Sequence, residues 1–133
     1  EEDPDCSGLR VLLVEDNDIN MEIARMMLES RGFVVDMAQD GKIAVDSFAA
    51  SEPGTYQCIL MDVMMPNMDG YAATRAIRAL ERPDAKTVPI IAMTANAFAE
   101  DVKAALDSGM NAHIAKPINP QSVMETLAKH VRR

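Results

Sequence analysis

The sequence is poor in cysteine, in basic residues and in long apolar runs, and each shortage excludes a class of protein. The two cysteines, Cys6 and Cys58, make neither a disulfide framework nor a metal motif, which indicates a reducing compartment. Lys and Arg number 13 against 21 Asp and Glu, so the net charge of −8 argues against direct binding to nucleic-acid phosphates. No apolar run approaches the roughly 20 residues that cross a membrane, and the acidic start is not a signal peptide, so no membrane insertion is expected.

What is present is the composition of an ordinary globular domain, with 48% hydrophobic and 26% charged residues. The length of 133 residues suits one domain. We expect residues 1–8, which are polar and contain Pro and Gly, to form a tail or linker, and residues 9–133 to fold. Because the first residue is Glu rather than Met, we expect the chain to be a segment of a longer protein.

Apolar runs of strand length alternate five times with segments of helical periodicity. We predict strands at 9–14, 33–37, 58–62, 88–93 and 112–115. Helices are predicted between Asn17 and Gly32, near 42–51, 71–80 and 97–108, and after Pro120. This alternation predicts an α/β fold, a doubly wound five-stranded parallel sheet with helices on both faces. The flavodoxin-like order 2-1-3-4-5 is expected from the fold class rather than from the periodicity.

The first two helices have apolar residues at helical spacing, and in the second these residues are expected to form its apolar face. In the first helix these residues are Ile19, Met21, Ile23, Ala24, Met26, Met27 and Leu28. In the second they are Ile43, Ala44, Val45, Phe48 and Ala49. We expect Met26 and Met27, like Met61 and Met93, to lie in the core.

Polar side chains stand where four of the predicted strands end. Glu15 and Asp16 follow the first strand, and Asp62 ends the third. Thr94 and Lys116 follow the fourth and the fifth. Right-handed crossovers bring the carboxyl ends of parallel strands to one edge, where such sheets bind ligands. In the order 2-1-3-4-5 the first and third strands are neighbours, so we expect the three carboxylates to lie together.

Crowded carboxylates repel one another, so they need either raised pKa values or a cation between them. Only oxygen ligands are available, which favours a hard ion, above all Mg²⁺. The ammonium of Lys116 and the hydroxyl of Thr94 would suit a phosphoryl group attached to Asp62, with that carboxylate as the nucleophile. Taken singly, each residue also has an ordinary interpretation, such as a helix cap for Asp62 or a surface lysine for Lys116.

Four motifs resemble those of the response-regulator receiver domains of two-component signalling, and the resemblance covers residues 9–132. The motifs are VEDN at 14–17, MDVMMPNMDG at 61–70, MTAN at 93–96 and AKP at 115–117. Their order and spacing are specific together, whereas any one alone would be weak. The segments around them are most similar to receivers attached to hybrid sensor histidine kinases.

The resemblance implies how the site accepts phosphate. Asp62 would take a phosphoryl group from a phosphohistidine on a sensor histidine kinase or a histidine-phosphotransfer domain. Asp16 and Asp62 would bind Mg²⁺ directly, Glu15 would contact it through water, and Met64 would supply its backbone carbonyl.

The resemblance also implies how the phosphoryl group is held, sensed and lost. Thr94 and Lys116 would hold its oxygens, and movement of Thr94 would operate a switch at the residue three before Lys116. That position usually carries an aromatic residue; here it is His113, for which a partly buried packing role is favoured over a switching role. Met64 and Asn96 would tune the lifetime of the acyl phosphate. Because the bulky Met64 cannot orient an attacking water, slow self-dephosphorylation is predicted.

The same resemblance implies the partners and the location. The domain would catalyse only its own phosphorylation and dephosphorylation. Its responding surface would comprise helix four, strand five and helix five, which is also the candidate surface for a homodimer. We expect a cytoplasmic location, either as a stand-alone receiver or as the cytoplasmic part of a membrane-bound hybrid kinase.

Three other functions compete with this one. An aspartyl phosphohydrolase would need a second acid two residues after the nucleophile, where this chain has Met64. A nucleotide or flavin binder would show a phosphate-binding glycine motif, which the sequence lacks. A receiver-like scaffold that is never phosphorylated is disfavoured because all five site positions carry the expected residues.

Overall fold

Five strands alternate with helices along the described part of the chain. The computed structural model describes residues 8–63, 68–94 and 99–115, together with residues 122, 125, 126 and 129. The strands are β1 (Arg10–Val14), β2 (Val34–Ala38), β3 (Cys58–Asp62), β4 (Ile90–Thr94) and β5 (Ala112–Ala115). The helices are α1 (Asp18–Glu29), α2 (Gly41–Ala50), α3 (Gly70–Arg78) and α4 (Ala99–Ser108). Of the predicted last helix only the four isolated residues are described, and each of them is helical.

The strands form one parallel sheet in the order β2-β1-β3-β4-β5, which confirms the predicted fold class and strand order. In the register, Val14 of β1 lies beside Met61 of β3, and Asp62 lies beside Met93 of β4. β3 is therefore the central strand, and all five of its residues are buried. Its neighbours on both sides end at the same edge as Asp62.

The core has two layers, one on each face of the sheet. Alternate residues of β3 divide between them: Cys58 and Leu60 pack in the layer that includes α1, while Ile59 and Met61 pack in the other. The second layer is completed by apolar residues of α2, α3 and α4. This is the arrangement of a doubly wound sheet, in which a strand buried on both faces is apolar throughout. Within the described ranges, no helix is both long enough and apolar enough to cross a bilayer.

Three helices begin with the same kind of cap at the carboxyl edge of the sheet. The caps are Asn17, Asp40 and Asp69, and the side chain of each accepts a hydrogen bond from the backbone N–H three residues later at 2.8–2.9 Å. Such caps satisfy N–H groups that a helix start otherwise leaves unpaired, each stabilising the helix by about 1 kcal/mol. Each cap marks the residue at which the chain turns from the carboxyl edge of the sheet into the next helix.

The structure corrects one predicted core residue of α1, Met26. The side chains that pack on the sheet are Met21, Ala24 and Leu28. A second apolar stripe, which we call the α1 outer face, points to solvent: Ile19 is 71% exposed, Ile23 57% and Met26 63%. The prediction that Met26 lies in the core is therefore wrong, because a helix lying on a sheet presses only one stripe against it.

The predicted face of α2 is also partly wrong. Ala44 and Phe48 are buried as expected, whereas Ile43 and Ala49 are exposed. The periodicity identified the helix correctly but included residues on the flanks of the buried stripe.

Candidate functional site

Three carboxylates meet at the carboxyl edge of the sheet. Glu15 and Asp16 directly follow β1, and Asp62 is the last residue of β3. Because Val14 pairs with Met61, the two acids after β1 come beside Asp62. One oxygen from each carboxylate lies within 4.8 Å of the others. The structure thus brings together the acids that the strand order predicted to be neighbours.

Two of the three acids are almost fully enclosed. Glu15 and Asp62 are each 3% exposed, while Asp16 is exposed at the rim. The backbone holds both positions, since the Glu15 N–H donates to the Ala38 carbonyl at 3.0 Å and the Val63 N–H donates to the Met93 carbonyl at 3.2 Å. The carboxylates are therefore carried on the sheet itself rather than on an unattached loop.

This crowding creates a strong demand for positive charge. Two unit negative charges 4.8 Å apart repel by about 3 kcal/mol at the effective dielectric constant of a protein site. Burial removes the water that would otherwise screen them, and a cation bound between the oxygens relieves both effects. An all-carboxylate donor set with an open, exposed side fits Mg²⁺, which prefers oxygen ligands and keeps some of its water.

Thr94 and Lys116 were predicted to approach the site from the strands beyond Asp62. Thr94 is the last residue of β4 rather than the residue after it, and it is 9% exposed. Since Asp62 pairs with Met93, Thr94 stands one residue further along the neighbouring strand. Ala115 pairs with Thr94, and Lys116 follows it in the sequence. Lys116 itself lies outside the described residues, as do Met64 and Asn96.

His113 is exposed on β5, so the partly buried packing role expected for it is wrong. Its register partner on β4 is Ala92, two residues before Thr94. β5 is the edge strand of the sheet. Among the described residues, no further strand pairs with its outer side.

Sequence reasoning missed a surface that adjoins the acids. The cap of α1, Asn17, directly follows Asp16, so the α1 outer face starts at the rim of the acid cluster. Its residues are spaced i, i+4 and i+7, which is the signal of an apolar stripe. That signal was present but could not be separated from the stripe that packs on the sheet.

The chain is similar to a known family over most of its length. Residues 11–128 match the family model described as the response regulator receiver domain. The hybrid signal transduction histidine kinase I of Dictyostelium discoideum is 41% identical over 120 residues. That alignment covers 89% of this chain but only 7% of the Dictyostelium protein, so the chain corresponds to a small part of this much longer relative.

Solved structures agree with this similarity. The receiver domain of a sensor histidine kinase from Pseudomonas aeruginosa, crystallised with a magnesium ion coordinated in its active-site cleft, is 42% identical with a TM-score of 0.83. The match covers 93% of this chain and 98% of that one. The receiver domain of a Saccharomyces cerevisiae response regulator, co-crystallised with a histidine phosphotransfer signalling protein, is 27% identical with a TM-score of 0.81. That match covers 94% of this chain and 90% of the yeast chain.

Proposed function

We propose, because the chain belongs to the response regulator receiver domain family of two-component signalling, that Asp62 is its phosphoacceptor. The observation that carries the proposal is the cluster itself: Asp62 ends the central strand, is buried, and has Glu15 and Asp16 within 4.8 Å. A carboxylate oxygen of Asp62 attacks the phosphorus of a phosphohistidine and forms an acyl phosphate. The P–N bond breaks, and the departing imidazole nitrogen keeps the electron pair and takes up a proton from solvent.

The acid cluster would hold Mg²⁺ during this transfer. Asp16 and Asp62 are the direct ligands in this proposal, Glu15 acts through water, and the backbone carbonyl of Met64, outside the described residues, adds a further oxygen. When bound, the ion supplies the positive charge that the carboxylates and the phosphoryl oxygens need. The P. aeruginosa relative with magnesium in its cleft supports this assignment.

Thr94 and Lys116 would contact the phosphoryl oxygens from the far side. Support for Thr94 is its burial at the end of β4, one residue beyond the level of Asp62. Lys116 follows the residue that pairs with Thr94. A hydroxyl and an ammonium there would donate hydrogen bonds to the charge that Asp62 gains.

The donor of the phosphoryl group would be a phosphohistidine protein that docks on the α1 outer face. The three exposed apolar side chains of this face run along α1 from just after Asp16, and Arg25 on the same helix forms ion pairs with Glu22 and Glu29 at 2.7 and 2.8 Å. An apolar centre with a polar rim is the usual anatomy of a protein interface. The yeast relative was crystallised with a histidine phosphotransfer protein, and we propose a partner of that class, or a sensor histidine kinase, here.

Phosphorylation would be read out on the surface made by α4, β5 and the predicted last helix. Thr94 is the proposed relay, because it joins the acid site to the edge strand on which His113 is exposed. We further propose that this surface forms any homodimer, that the domain does not bind nucleic acid directly, and that it works in the cytoplasm. Its catalysis would be limited to its own phosphorylation and slow dephosphorylation.

The lifetime of the acyl phosphate would depend on Met64 and Asn96. A bulky apolar side chain at position 64 cannot orient a water for attack on phosphorus, so loss of the phosphoryl group should be slow. Met64→Asn should shorten the half-life of the phosphorylated domain, measured by the decay of radiolabelled phosphate in the isolated protein. An unchanged half-life would show that position 64 does not control hydrolysis.

The decisive test uses beryllofluoride, which mimics an acyl phosphate, and acetyl phosphate, a small phosphodonor. With Mg²⁺ present, the wild-type protein should bind beryllofluoride and gain one phosphoryl group, whereas Asp62→Asn should do neither. Asp46→Asn, which removes an exposed carboxylate on α2, is the matched control and should behave as wild type. If the wild-type protein neither binds beryllofluoride nor gains a phosphoryl group from acetyl phosphate, the phosphoacceptor role is excluded.

A further inference from the structure

Two helices on the same face of the sheet start with the same dipeptide. Asp40 caps α2 with Gly41 as its first residue, and Asp69 caps α3 with Gly70 as its first residue. Neither Gly41 nor Gly70 has the positive φ that would call for glycine on conformational grounds. Both glycines are instead buried, and the close backbone atoms around them leave no room for a side chain.

Gly70 lies directly against the peptide unit that follows the proposed phosphoacceptor. A Cβ at this position would overlap the carbonyl oxygen of Asp62 and would lie 3.0 Å from Cα of Val63. The Gly70 N–H donates to the Val63 carbonyl at 3.0 Å, so the approach is a bonded contact as well as a close one. The first turn of α3 is thereby packed and hydrogen-bonded onto the end of β3.

The direction of the Asp62 carboxylate depends on the peptide unit that Gly70 touches. The same unit is fixed from the sheet by the Val63 N–H, which donates to the Met93 carbonyl. If a methyl group forced the two segments apart, the peptide would rotate or shift, and a carboxylate would leave a cluster whose oxygens lie within 4.8 Å. A metal site tolerates little such movement, because its ligands must keep close to their ideal distances.

We propose that Gly70 is a positioning residue for Asp62: its lack of a side chain lets α3 hold the Asp62–Val63 peptide where the carboxylate joins Glu15 and Asp16. The inference rests on the proposed function, since it concerns the ligand geometry of the same site. It also explains why the first residue of α3 is a glycine, since neither the helix start nor the turn before it requires one.

Gly41 provides a matched control within the chain. A Cβ there would overlap the carbonyl oxygen of Met68 and lie 3.1 Å from Cβ of Ala73. The clash is therefore as severe, it also involves a backbone carbonyl, and it also falls at the first residue of an aspartate-capped helix. None of the three atoms nearest to that Cβ belongs to Asp62 or to β3.

The test compares Gly70→Ala with Gly41→Ala by titrating Mg²⁺ into each protein in a calorimeter, alongside thermal unfolding. Both variants should lose thermal stability, because both must displace a backbone carbonyl. The Mg²⁺ dissociation constant should rise about tenfold or more for Gly70→Ala, as for other changes behind a metal ligand, and less than about twofold for Gly41→Ala. Equal dissociation constants for the two variants would overturn the positioning role.

Two measurements on the wild-type protein, Mg²⁺ binding and amide hydrogen exchange, distinguish failure of this inference from failure of the proposed function. They can be made even if Gly70→Ala does not fold. Absence of Mg²⁺ binding by the wild type would overturn the proposed site altogether. With binding established, the amide hydrogen of Gly70 should exchange with solvent up to about a hundredfold more slowly at a Mg²⁺ concentration 100 times the dissociation constant. The amide of Gly54, which donates to Asp84 at 2.9 Å in another loop, should change little. Equal slowing at both amides, or none at Gly70, would contradict the proposal.

Discussion

Thr74 on α3 is fully buried, and its side-chain oxygen has no hydrogen-bond partner among the described residues. A buried hydroxyl without a partner loses its hydration and gains nothing in return, at a cost of about 1–3 kcal/mol. Its methyl group, by contrast, lies in ordinary contact range of the position that a Cβ of Gly109 would occupy. A methyl group needs no hydrogen-bond partner, so the hydroxyl is the part of this side chain that its surroundings do not satisfy.

Thr74→Val should raise the free energy of unfolding by about 1 kcal/mol, because it keeps the shape of the side chain and removes the unpaired hydroxyl. The measurement is urea unfolding, in which the midpoint should rise while the m-value stays unchanged. Thr55→Val is the control of opposite sign, since the Thr55 hydroxyl donates to the Glu52 carbonyl at 2.7 Å and its loss should destabilise the protein. A fall in stability for Thr74→Val would show that the hydroxyl has a role the structure does not reveal.

At the scale of single residues, the acids of the site were predictable and the glycine behind them was not. Glu15, Asp16 and Asp62 each stand at the end of an apolar run, so a strand pattern is enough to place them at one edge. The close approach of Gly70 to the Asp62 carbonyl depends on how α3 returns onto the sheet. In the sequence, Asp69 and Gly70 read as an ordinary turn or helix start, because packing distances leave no trace in local pattern.

At the scale of elements, α1 carries two apolar stripes, one packed on the sheet and one exposed to solvent. Its inner stripe packs on the sheet, and its outer face starts next to the acid cluster. A three-residue apolar patch at such a position is more than a scattering of surface hydrophobes. Its position beside the proposed phosphoacceptor site favours a docking role over chance exposure.

Ile23→Ser should weaken the complex with a histidine-phosphotransfer domain about tenfold, because it removes the central side chain of the α1 outer face. Transfer from the phosphorylated partner should slow accordingly at sub-saturating concentrations. Modification by acetyl phosphate should not change, since Ile23 is 57% exposed and is not one of the clustered acids. Titration of the partner, followed by calorimetry, gives the dissociation constant.

Ile43→Ser on α2 is the matched control for this experiment. Ile43 is likewise an exposed isoleucine on a helix, but α2 packs on the opposite layer of the sheet from α1. It should leave both the dissociation constant and the transfer rate at wild-type values. Equal losses in the two variants would argue that the partner does not use α1.

Elements differ in how well their sequences predict them, for a physical reason. β3 was predicted from Cys58 to Asp62 and is found there, because a strand buried on both faces is apolar from end to end. β4 was expected from 88 to 93 but runs from Ile90 to Thr94, since its ends depend on which neighbours it pairs with. The buried faces of α1 and α2 were predicted less accurately than the strands, because an apolar residue at helical spacing can face either the sheet or a partner.

At the scale of the whole molecule, the carboxyl and amino ends of the strands have different roles. The acids gather at the carboxyl edge, whereas a polar cluster near the amino ends of the strands ties the fold together. There the Tyr56 hydroxyl donates to Asp36 at 2.7 Å, and Arg10 donates to the other oxygen of the same carboxylate at 2.9 Å. In the same region, Arg82 forms an ion pair with Asp84 at 2.6 Å and stacks on the Phe48 ring at 4.4 Å.

Burial, together with the hydrogen bond to Asp36, raises the pKa of Tyr56 from 10.0 to about 12. Folding therefore favours the neutral phenol. Its contribution to stability is complete below pH 10 and is lost as the pH rises from 10 towards 12. Tyr56→Phe should lower the free energy of unfolding by about 1 kcal/mol at neutral pH and flatten its decline in this alkaline window.

Urea unfolding of the wild type and Tyr56→Phe at a series of pH values up to 11.5 tests this prediction. The difference between the two proteins should shrink as the wild-type phenol ionises. Affinity for Mg²⁺ at neutral pH should be the same in both, because the substitution is at the opposite edge. Two stability curves that stay parallel throughout would show that Tyr56 does not titrate as its surroundings require.

The pairing of β1 with β3 has a consequence for which copies of the protein can be phosphorylated. The acids come from distant parts of the sequence and meet only when these strands lie side by side. A nascent or misfolded chain carries the same acids scattered along a coil, and in that state they form no acceptor. If Asp62 is the phosphoacceptor as proposed, only folded copies of the domain can be phosphorylated, and unfolded copies cannot take part in signalling.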